Sequence, residues 1–350
     1  MTSRTRGEDK LRVGIAGYGV VGKRRRHFID RHPRLHTVAV CDKTFLEAGT
    51  FSDGVEYFPD YHQLLERPLD ILFVCLPTYL AADVTVAGLE RNLHVFCEKP
   101  PARDVKSVEH VIEVERRHPG TLLKYGFNHR YHDSVREALR LVKSDAFGEI
   151  INMRGVYGKS KVLSYTGSWR AERQYAGGGI LLDQGIHLVD LMRLFCGDFV
   201  EVKSFVSNRY WKYDVEDNAY ALMRDAQGRV AILHSSATQW QHRFSLEIAL
   251  TQGFVVLNGI VSGSRSYGEE ELVIGRRDES NVGTSREEVI RYIEDNSWRL
   301  EIEEFADAIL NGRQIQHGSS ADALATMKLV YSIYWADPEW REAFRVERPS

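Results

Sequence analysis

Apolar residues follow two different rhythms along this chain. In the first third they come as short unbroken runs at Leu11–Ala16, 37–41, 71–76, 93–97 and 122–126. Unbroken runs of this length predict strands buried on both faces, as in a parallel sheet covered by helices. Helical composition lies between them at 20–32, closed by Pro33, and at Val105–Arg117. This alternation predicts an α/β, doubly wound parallel sheet of the Rossmann type over residues 1–128.

Beyond Asn128 the rhythm changes. After a helix at 134–144, runs at 150–157, 201–208, 218–224, 230–238, 244–251 and Gly253–Asn258 alternate or are β-branched, with short turns such as 225–228 between them. They predict a mostly antiparallel open sheet within an α+β domain over 129–350, which would bind substrate and carry oligomer contacts. Helical segments are expected at 180–196, 297–310 and 321–334, the last packing back on the first domain. The polar, glycine-rich stretch 262–288 reads as a mobile loop.

Composition narrows the possible functions. A chain of 350 residues is long enough for two cores. A net charge of only -3 argues against a nucleic-acid binder held by bulk charge. Cys41, Cys75, Cys97 and Cys196 form no CxxC pair, and three of them sit in apolar runs, so reduced core thiols are expected. The first ten residues are polar, and the most apolar stretch, 70–89, is broken by Pro77, Asp83 and Gly88. A soluble, cytoplasmic protein is expected, with no secretion signal, membrane span or membrane partner.

Gly17-Tyr18-Gly19-Val20-Val21-Gly22 matches GxGxxG. A strand precedes it, a helix follows, and Asp42 ends the next strand twenty residues after Gly22. Glycines allow a tight turn and close approach of the backbone to a pyrophosphate, while the helix N-terminus offers N–H groups and partial positive charge. The Asp42 carboxylate suits ribose hydroxyls and repels a 2′-phosphate, which favours NAD. Lys43 beside it keeps NADP open. The basic run Lys23-Arg24-Arg25-Arg26 opposes the helix dipole and reads as a solvated face.

Two further groups carry candidate chemistry. Lys99 closes a strand of the parallel sheet just before Pro100-Pro101, where such sheets open a binding crevice. Beside a cofactor it can polarise or shuttle a proton; in a loop it is a plain surface lysine. Asp183, His187 and Asp190, spaced i, i+4, i+7, share one helix face. They fit an acid/base pair, two ligands of a metal site, or a core histidine beside a capping aspartate. No third ligand stands nearby, so no metal is expected. The preceding Gly177-Gly178-Gly179 reads as a flexible, close-approach segment.

With Cys97-Glu98-Lys99-Pro100, Gly126-Phe127-Asn128, Ser168-Trp169-Arg170 and Gly177 to His187, taken with the glycine motif, the sequence resembles the Gfo/Idh/MocA oxidoreductases over almost its whole length. The resemblance implies Lys99, Asp183 and His187 as the catalytic group. His187 would be the base, Asp183 would orient it, and Lys99 would bond the same substrate oxygen, although the family varies in whether lysine or histidine carries the proton. It also implies cofactor contacts from Pro77, Thr78, Glu98, Lys99, Asn128, Trp169 and Arg170. A histidine that the family often places shortly after Pro77-Thr78 is absent; Tyr79-Leu80-Ala81-Ala82-Asp83 stands there.

The second domain is rich in aromatic and polar residues, among them Tyr157, Lys159, Lys161, Tyr165, Tyr210, Trp211, Tyr213, Trp240, His242 and Arg243. Such surfaces suit sugars, and Arg or Lys suits a phosphate or a nucleotide diphosphate. Tyr157 and Arg170 join Lys99, Asp183 and His187 as expected substrate contacts. The expected reaction is NAD-dependent oxidation or reduction at a sugar or nucleotide-sugar hydroxyl, with an inositol-type polyol as second choice. The alternatives are an NAD-dependent glycosidase of the same fold and a non-catalytic dinucleotide-binding sensor. A homodimer or homotetramer through the sheet at 230–258 is expected.

Overall fold

The computed structural model describes residues 10–160, 168–263, 265–278 and 286–349. Lys161 and Tyr165 lie outside the described residues. The chain divides into two compact units. The first comprises residues 1–102, 106–126 and 298–323; the second comprises 103–105, 127–297 and 324–350.

The first unit contains β1 (Leu11–Ala16), β2 (Leu35–Cys41), β3 (Gly49–Thr50), β4 (Glu56–Phe58), β5 (Ile71–Val74), β6 (His94–Glu98) and β7 (Leu123–Gly126). Among the described residues they form one sheet in the order β3-β4-β2-β1-β5-β6-β7, parallel except where β3 meets β4. The order reverses between β1 and β5, and ligands of such sheets bind outside the C-terminal strand ends at that point. The strands are buried on both faces, which is why they read as unbroken apolar runs. Helix Ser297–Asn311 contributes Ile302, Phe305 and Ala306 to the same core as Val13, Ile15, Phe73 and Phe96. The sequence pointed to 321–334 for this packing. Instead helix Ser320–Ala336 runs mostly in the second unit, where it buries Met327, Val330, Ile333 and Tyr334.

The basic run in helix Val20–Ile29 departs from a solvated face. Lys23 is exposed, but Arg25 is fully buried because it shares the inward stripe with Gly22 and Ile29. Its guanidinium lies between the rings of Phe96 and Trp298, 4.3 Å from each centroid. Nε reaches Glu98 at 2.6 Å and Nη2 reaches Glu301 at 2.7 Å. Buried Lys124 donates to Glu304 close by.

The second unit contains β8 (Ile150–Gly158), β9 (Phe199–Ser207), β10 (Asn218–Asp225), β11 (Val230–Ser236), β12 (Arg243–Leu250), β13 (Gly253–Asn258), β14 (Glu270–Arg276) and β15 (Arg286–Tyr292). Their order is β15-β14-β13-β12-β8-β11-β10-β9, antiparallel except for the central β8–β11 pair. The stretch expected as a loop at 262–288 therefore holds β14. Charged Glu270 and Glu271 disguise its start, yet Glu270 is buried and bound by His132, by the Ser134 amide and by the Val261 amide. One sheet face is covered by helix Ile186–Cys196, whose Leu188 and Met192 sit so close to Gly155 that a side chain there would collide with them. The other face leaves Ile151, Phe205, Tyr220, Leu222, Ile232 and Val289 exposed.

Burial pushes the Glu301 carboxyl up to about 7, with Arg25 and Lys124 pulling the other way. The folded chain then keeps a proton that the unfolded chain releases near 4.5, so stability falls as pH rises between those values. Glu301→Gln removes this dependence. Relative to that variant, the wild type should lose on the order of 3 kcal/mol of stability between pH 4.5 and 8, measured by urea unfolding; parallel pH profiles would refute the assignment.

Candidate functional site

In the first unit the glycine motif forms the turn between β1 and helix Val20–Ile29. Each glycine meets a different demand. Gly17 has φ 92°, and a Cβ there would strike the Cys75 carbonyl. A Cβ on Gly22 would strike the Gly17 carbonyl. Gly19 has nothing within 4 Å of its Cβ position, so no protein contact requires glycine there, whereas a ligand pressed against the backbone does. The helix start has no side-chain cap and no acid in its first turn. Its N–H groups and dipole remain available to an anion. Val20, 81% exposed, adds an apolar surface beside them.

Asp42 follows β2 and accepts from the Tyr18 amide at 2.9 Å through one oxygen and from the Thr44 amide and hydroxyl at 3.0 and 2.8 Å through the other. The carboxylate is thereby aimed before any ligand arrives, and the oxygen that serves Tyr18 keeps a lone pair for one. Tyr18 is itself steered by Arg26, which donates to its hydroxyl at 2.9 Å. Lys43 is exposed. Pro77 and buried Thr78 start helix Thr78–Leu89 just past β5. Glu98 turns its carboxylate to Arg25, and Lys99 follows at the strand end, half-buried. These residues fit a dinucleotide at the C-terminal edge of the sheet.

In the second unit, Asp183 and His187 stand on a helix that opens with a π turn, Leu181–Gly185, and continues as α-helix Ile186–Cys196. An i→i+5 turn is uncommon and frequent at functional sites. Buried Glu216 anchors its start: its carboxylate accepts from the Gly179 amide at 2.7 Å and the Leu181 amide at 2.9 Å, and its carbonyl accepts from Ile180. Tyr334 donates to the same carboxylate at 2.7 Å. Burial raises the Glu216 carboxyl, and the bonds from Tyr334 and Gly179 oppose that rise. The three glycines are close-packed rather than flexible: side chains there would collide with the Arg103 carbonyl, the Tyr334 hydroxyl and the Glu216 carbonyl respectively.

His187 is buried and stacks on His129, with ring centroids 3.7 Å apart and planes 10° apart. His129 was not singled out in the sequence; its only signal was a large polar residue beside Asn128. A chain of hydrogen bonds fixes its tautomer. Asp295 accepts from the Ser297 hydroxyl at 2.5 Å, and Ser297 accepts from Asn128 Nδ2 at 3.0 Å. Asn128 Oδ1 then faces His129 Nδ1 at 3.2 Å, so Nδ1 carries the proton, and Nε2 accepts from the Tyr157 hydroxyl at 3.1 Å. Tyr157 is buried against Tyr267 and Phe244, and its phenol is raised well above the ordinary range by burial, by Tyr267 and by the charge of Asp183. The structure thus gathers Asp183, His187, His129 and Tyr157.

Other expected residues have different surroundings. The Asn128 side chain serves the His129 chain. Asp190 is taken up by Arg130, which donates to it twice, at 2.7 and 2.6 Å, so it supports the helix rather than joining Asp183. Trp169 packs on a small apolar cluster with Ala171, Ile180 and Val215, and the exposed Arg170 lies over its ring at 4.3 Å.

Glycine turn, aimed aspartate and reversed strand order define a protein with an NAD-binding Rossmann unit followed by an antiparallel-sheet unit. Residues 11–126 match the oxidoreductase family with NAD-binding Rossmann fold, and residues 135–256 match the GFO/IDH/MocA C-terminal domain; the chain belongs to the Gfo/Idh/MocA family. It is 28% identical over 253 residues to the D-glucoside 3-dehydrogenase of Escherichia coli (strain K12), covering 65% of this chain and 70% of that protein. It is 24% identical over 229 residues to the levoglucosan dehydrogenase of Pseudarthrobacter phenanthrenivorans, covering 57% and 58%. Such matches span from little more than half to about two thirds of the curated relatives' own length. A solved levoglucosan dehydrogenase in complex with NADH shares the fold, with a TM-score of 0.81 over 95% of this chain and 98% of that one at 20% identity. No helix among the described residues is long and apolar enough to cross a membrane.

Gly19→Ala adds a methyl where only a ligand would feel it, whereas Gly22→Ala forces it into the Gly17 carbonyl. The first variant should keep the wild-type melting temperature and lose about tenfold or more in NADH affinity by fluorescence titration; the second should melt several degrees lower. Unchanged NADH binding by Gly19→Ala would contradict the placement of the pyrophosphate.

Proposed function

We propose that the chain is an NAD-dependent dehydrogenase of a sugar or nucleotide-sugar hydroxyl, with an inositol-type polyol as the next candidate. The observation that carries this is the Asp183–His187 pair on an anchored helix, stacked on a histidine of fixed tautomer, in a family whose N-terminal domain binds NAD. The names of the relatives, which include D-glucoside, levoglucosan and inositol dehydrogenases, support the substrate class.

In this reading Gly17, Gly19 and Gly22 receive the pyrophosphate with the amides of Tyr18, Val20 and Val21. Asp42 takes the ribose hydroxyls, Lys43 flanks them, and Pro77, Thr78 and Glu98 shape the nicotinamide end with Asn128, Trp169 and Arg170. When bound, NAD supplies the hydride acceptor at C4. His187 would take the proton of the substrate hydroxyl while the carbinol C–H gives up its hydride to the acceptor that bound NAD would supply, which leaves a ketone. Asp183 orients substrate and imidazole and favours the imidazolium. Lys99 donates to the same oxygen and favours its negative charge as the proton leaves. Tyr157 and Arg170 hold other substrate oxygens. His129 shares its stacked face with His187 and holds that ring in place.

Lys99→Ala and His187→Ala should each lower kcat by roughly 10²–10⁴-fold while NADH titration stays near wild type. The assay is NADH formation with a panel of sugars, inositols and UDP- or dTDP-sugars. Turnover near wild type in both variants would end the assignment.

The reading extends to assembly and setting. The exposed apolar residues of the second sheet fall in register: Leu222 lies beside Ile232 and Tyr220 beside His234, while Phe205 faces Tyr220. Such a row favours burial against a second copy, so a homodimer or homotetramer forms through this face, centred on β9–β11 rather than on 230–258. Four reduced thiols, Cys41, Cys75, Cys97 and Cys196, accord with a cytoplasmic setting. Ile232→Lys should shift the sedimenting species to a smaller one, and an unchanged distribution would place the interface elsewhere.

A further inference from the structure

A cavity of ≈ 330 Å³ opens in the second unit at the joint ends of β12 and β13, its lining including Gln239, Gln241, His242, Arg243, Asn258 and Tyr267. We propose that it is a subsite for an oxyanion-bearing part of the substrate, a carboxylate or a phosphoryl group carried on the hydroxylated molecule; this rests on the dehydrogenase reading above.

Charge is the first argument. No carboxylate lines the cavity. Arg243, exposed at the start of β12, has no ion pair or side-chain hydrogen bond to any described residue. Four residues along the same strand pair the contrast is plain: Arg154 on β8 is matched by Glu247 on β12 at 2.8 Å. His242 adds no second cation of its own. Burial lowers its imidazole below the ordinary range, the charge of Lys159 lowers it further, and its ring nitrogens face the hydroxyls of Ser266 and Ser160. Among the lining residues the full charge is therefore positive, that of Arg243.

Donor geometry is the second. Asn258 Oδ1 accepts from Ser245 Oγ at 3.0 Å, which leaves its NH2 to donate. The carboxamides of Gln239 and Gln241 and the guanidinium fork of Arg243 supply further N–H groups. A neutral ring filling this space would strip water from Arg243 and return no counter-charge, which is costly. An oxyanion returns that charge and suits the planar guanidinium through paired hydrogen bonds.

Position is the third. The Tyr267 ring lies 4.9 Å from His242 on the cavity side and 5.4 Å from Tyr157 on the other. Phe244, also at the cavity wall, packs on Tyr157 at 5.4 Å and on His129 at 6.0 Å. The cavity thus stands one aromatic ring from the cluster that holds Asp183 and His187. Its volume lies at the lower end of small-molecule sites.

The test compares glucose, glucuronate and glucose 6-phosphate, which differ in charge, by calorimetric binding to the NADH-loaded protein and by turnover at low and high salt. The acidic sugars should bind about tenfold or more tightly than glucose at low salt. That preference should shrink in about 0.5 M salt, as expected for an exposed cation, and collapse in Arg243→Gln. Gln241→Ala should weaken the acidic sugars without abolishing the preference. Which acidic sugar gains more distinguishes carboxylate from phosphoryl. Equal binding of the three, or a preference that survives Arg243→Gln in a variant of unchanged melting temperature, overturns the subsite. Arg243-dependent binding without turnover of any sugar would keep the subsite and remove the dehydrogenase reading. Turnover of neutral sugars with no charge preference would do the reverse.

Discussion

A buried carboxylate holds the second unit's chemistry in place. Glu216 has lost its water, and an uncompensated charge there would be prohibitive. Two backbone amides and a tyrosine hydroxyl replace the water, and its own carbonyl takes the amide between them. The consequence is geometric. Three consecutive residues are clamped at the entry of the π turn, so the positions of Asp183 and His187 follow from an acid distant in the sequence. The same clamp explains the glycines. With the 216 carbonyl pressed on residue 179, Tyr334 on 178 and the 103 carbonyl on 177, no side chain fits.

The first unit uses a comparable device with the sign reversed. Arg25 is the buried charge, and Glu98 and Glu301 are its partners, with the Phe96 and Trp298 rings each 4.3 Å from the guanidinium carbon. Removing one partner of such a group leaves the rest uncompensated, at a cost of roughly 3–5 kcal/mol. The ion cluster therefore constrains the end of β6, the residue immediately before Lys99. Glu98 thereby braces the strand end through its carboxylate, and any contact with a cofactor would have to be made while it remains bound to Arg25.

What was legible in the sequence was whatever local rules decide. β1, β13 and the helix Val105–Arg117 stand where the apolar rhythm placed them, and the glycine turn and Asp42 follow from backbone sterics and strand length. What stayed hidden depends on distant partners. A run of four basic residues looks solvated until Phe96 and Trp298 are seen to close around one of them. β14 looks like loop because its first residue is a glutamate, and only His132 and two amides explain its burial. The π turn cannot be read from periodicity, since Glu216 binds the amides just ahead of it. His129 was missed for the same reason. A histidine beside Asn128 acquires meaning only when Asn128, Ser297 and Asp295 fix its tautomer and the ring is stacked on His187.

That chain also narrows the division of labour. The Asp295 carboxylate accepts, so every proton along the line points towards it, and a neutral His129 ring receives at Nε2. The partner that answers there is the Tyr157 hydroxyl, at 3.1 Å. Burial and the neighbouring Asp183 charge keep that phenol protonated far above neutral pH. Tyr157 is therefore unsuited to remove a proton from a substrate hydroxyl, though well placed to accept a hydrogen bond from one. His129, with one nitrogen donating and the other occupied, is likewise committed. Of the residues gathered around the π turn, this leaves His187 and Asp183 as the groups on which the proposed proton transfer would draw.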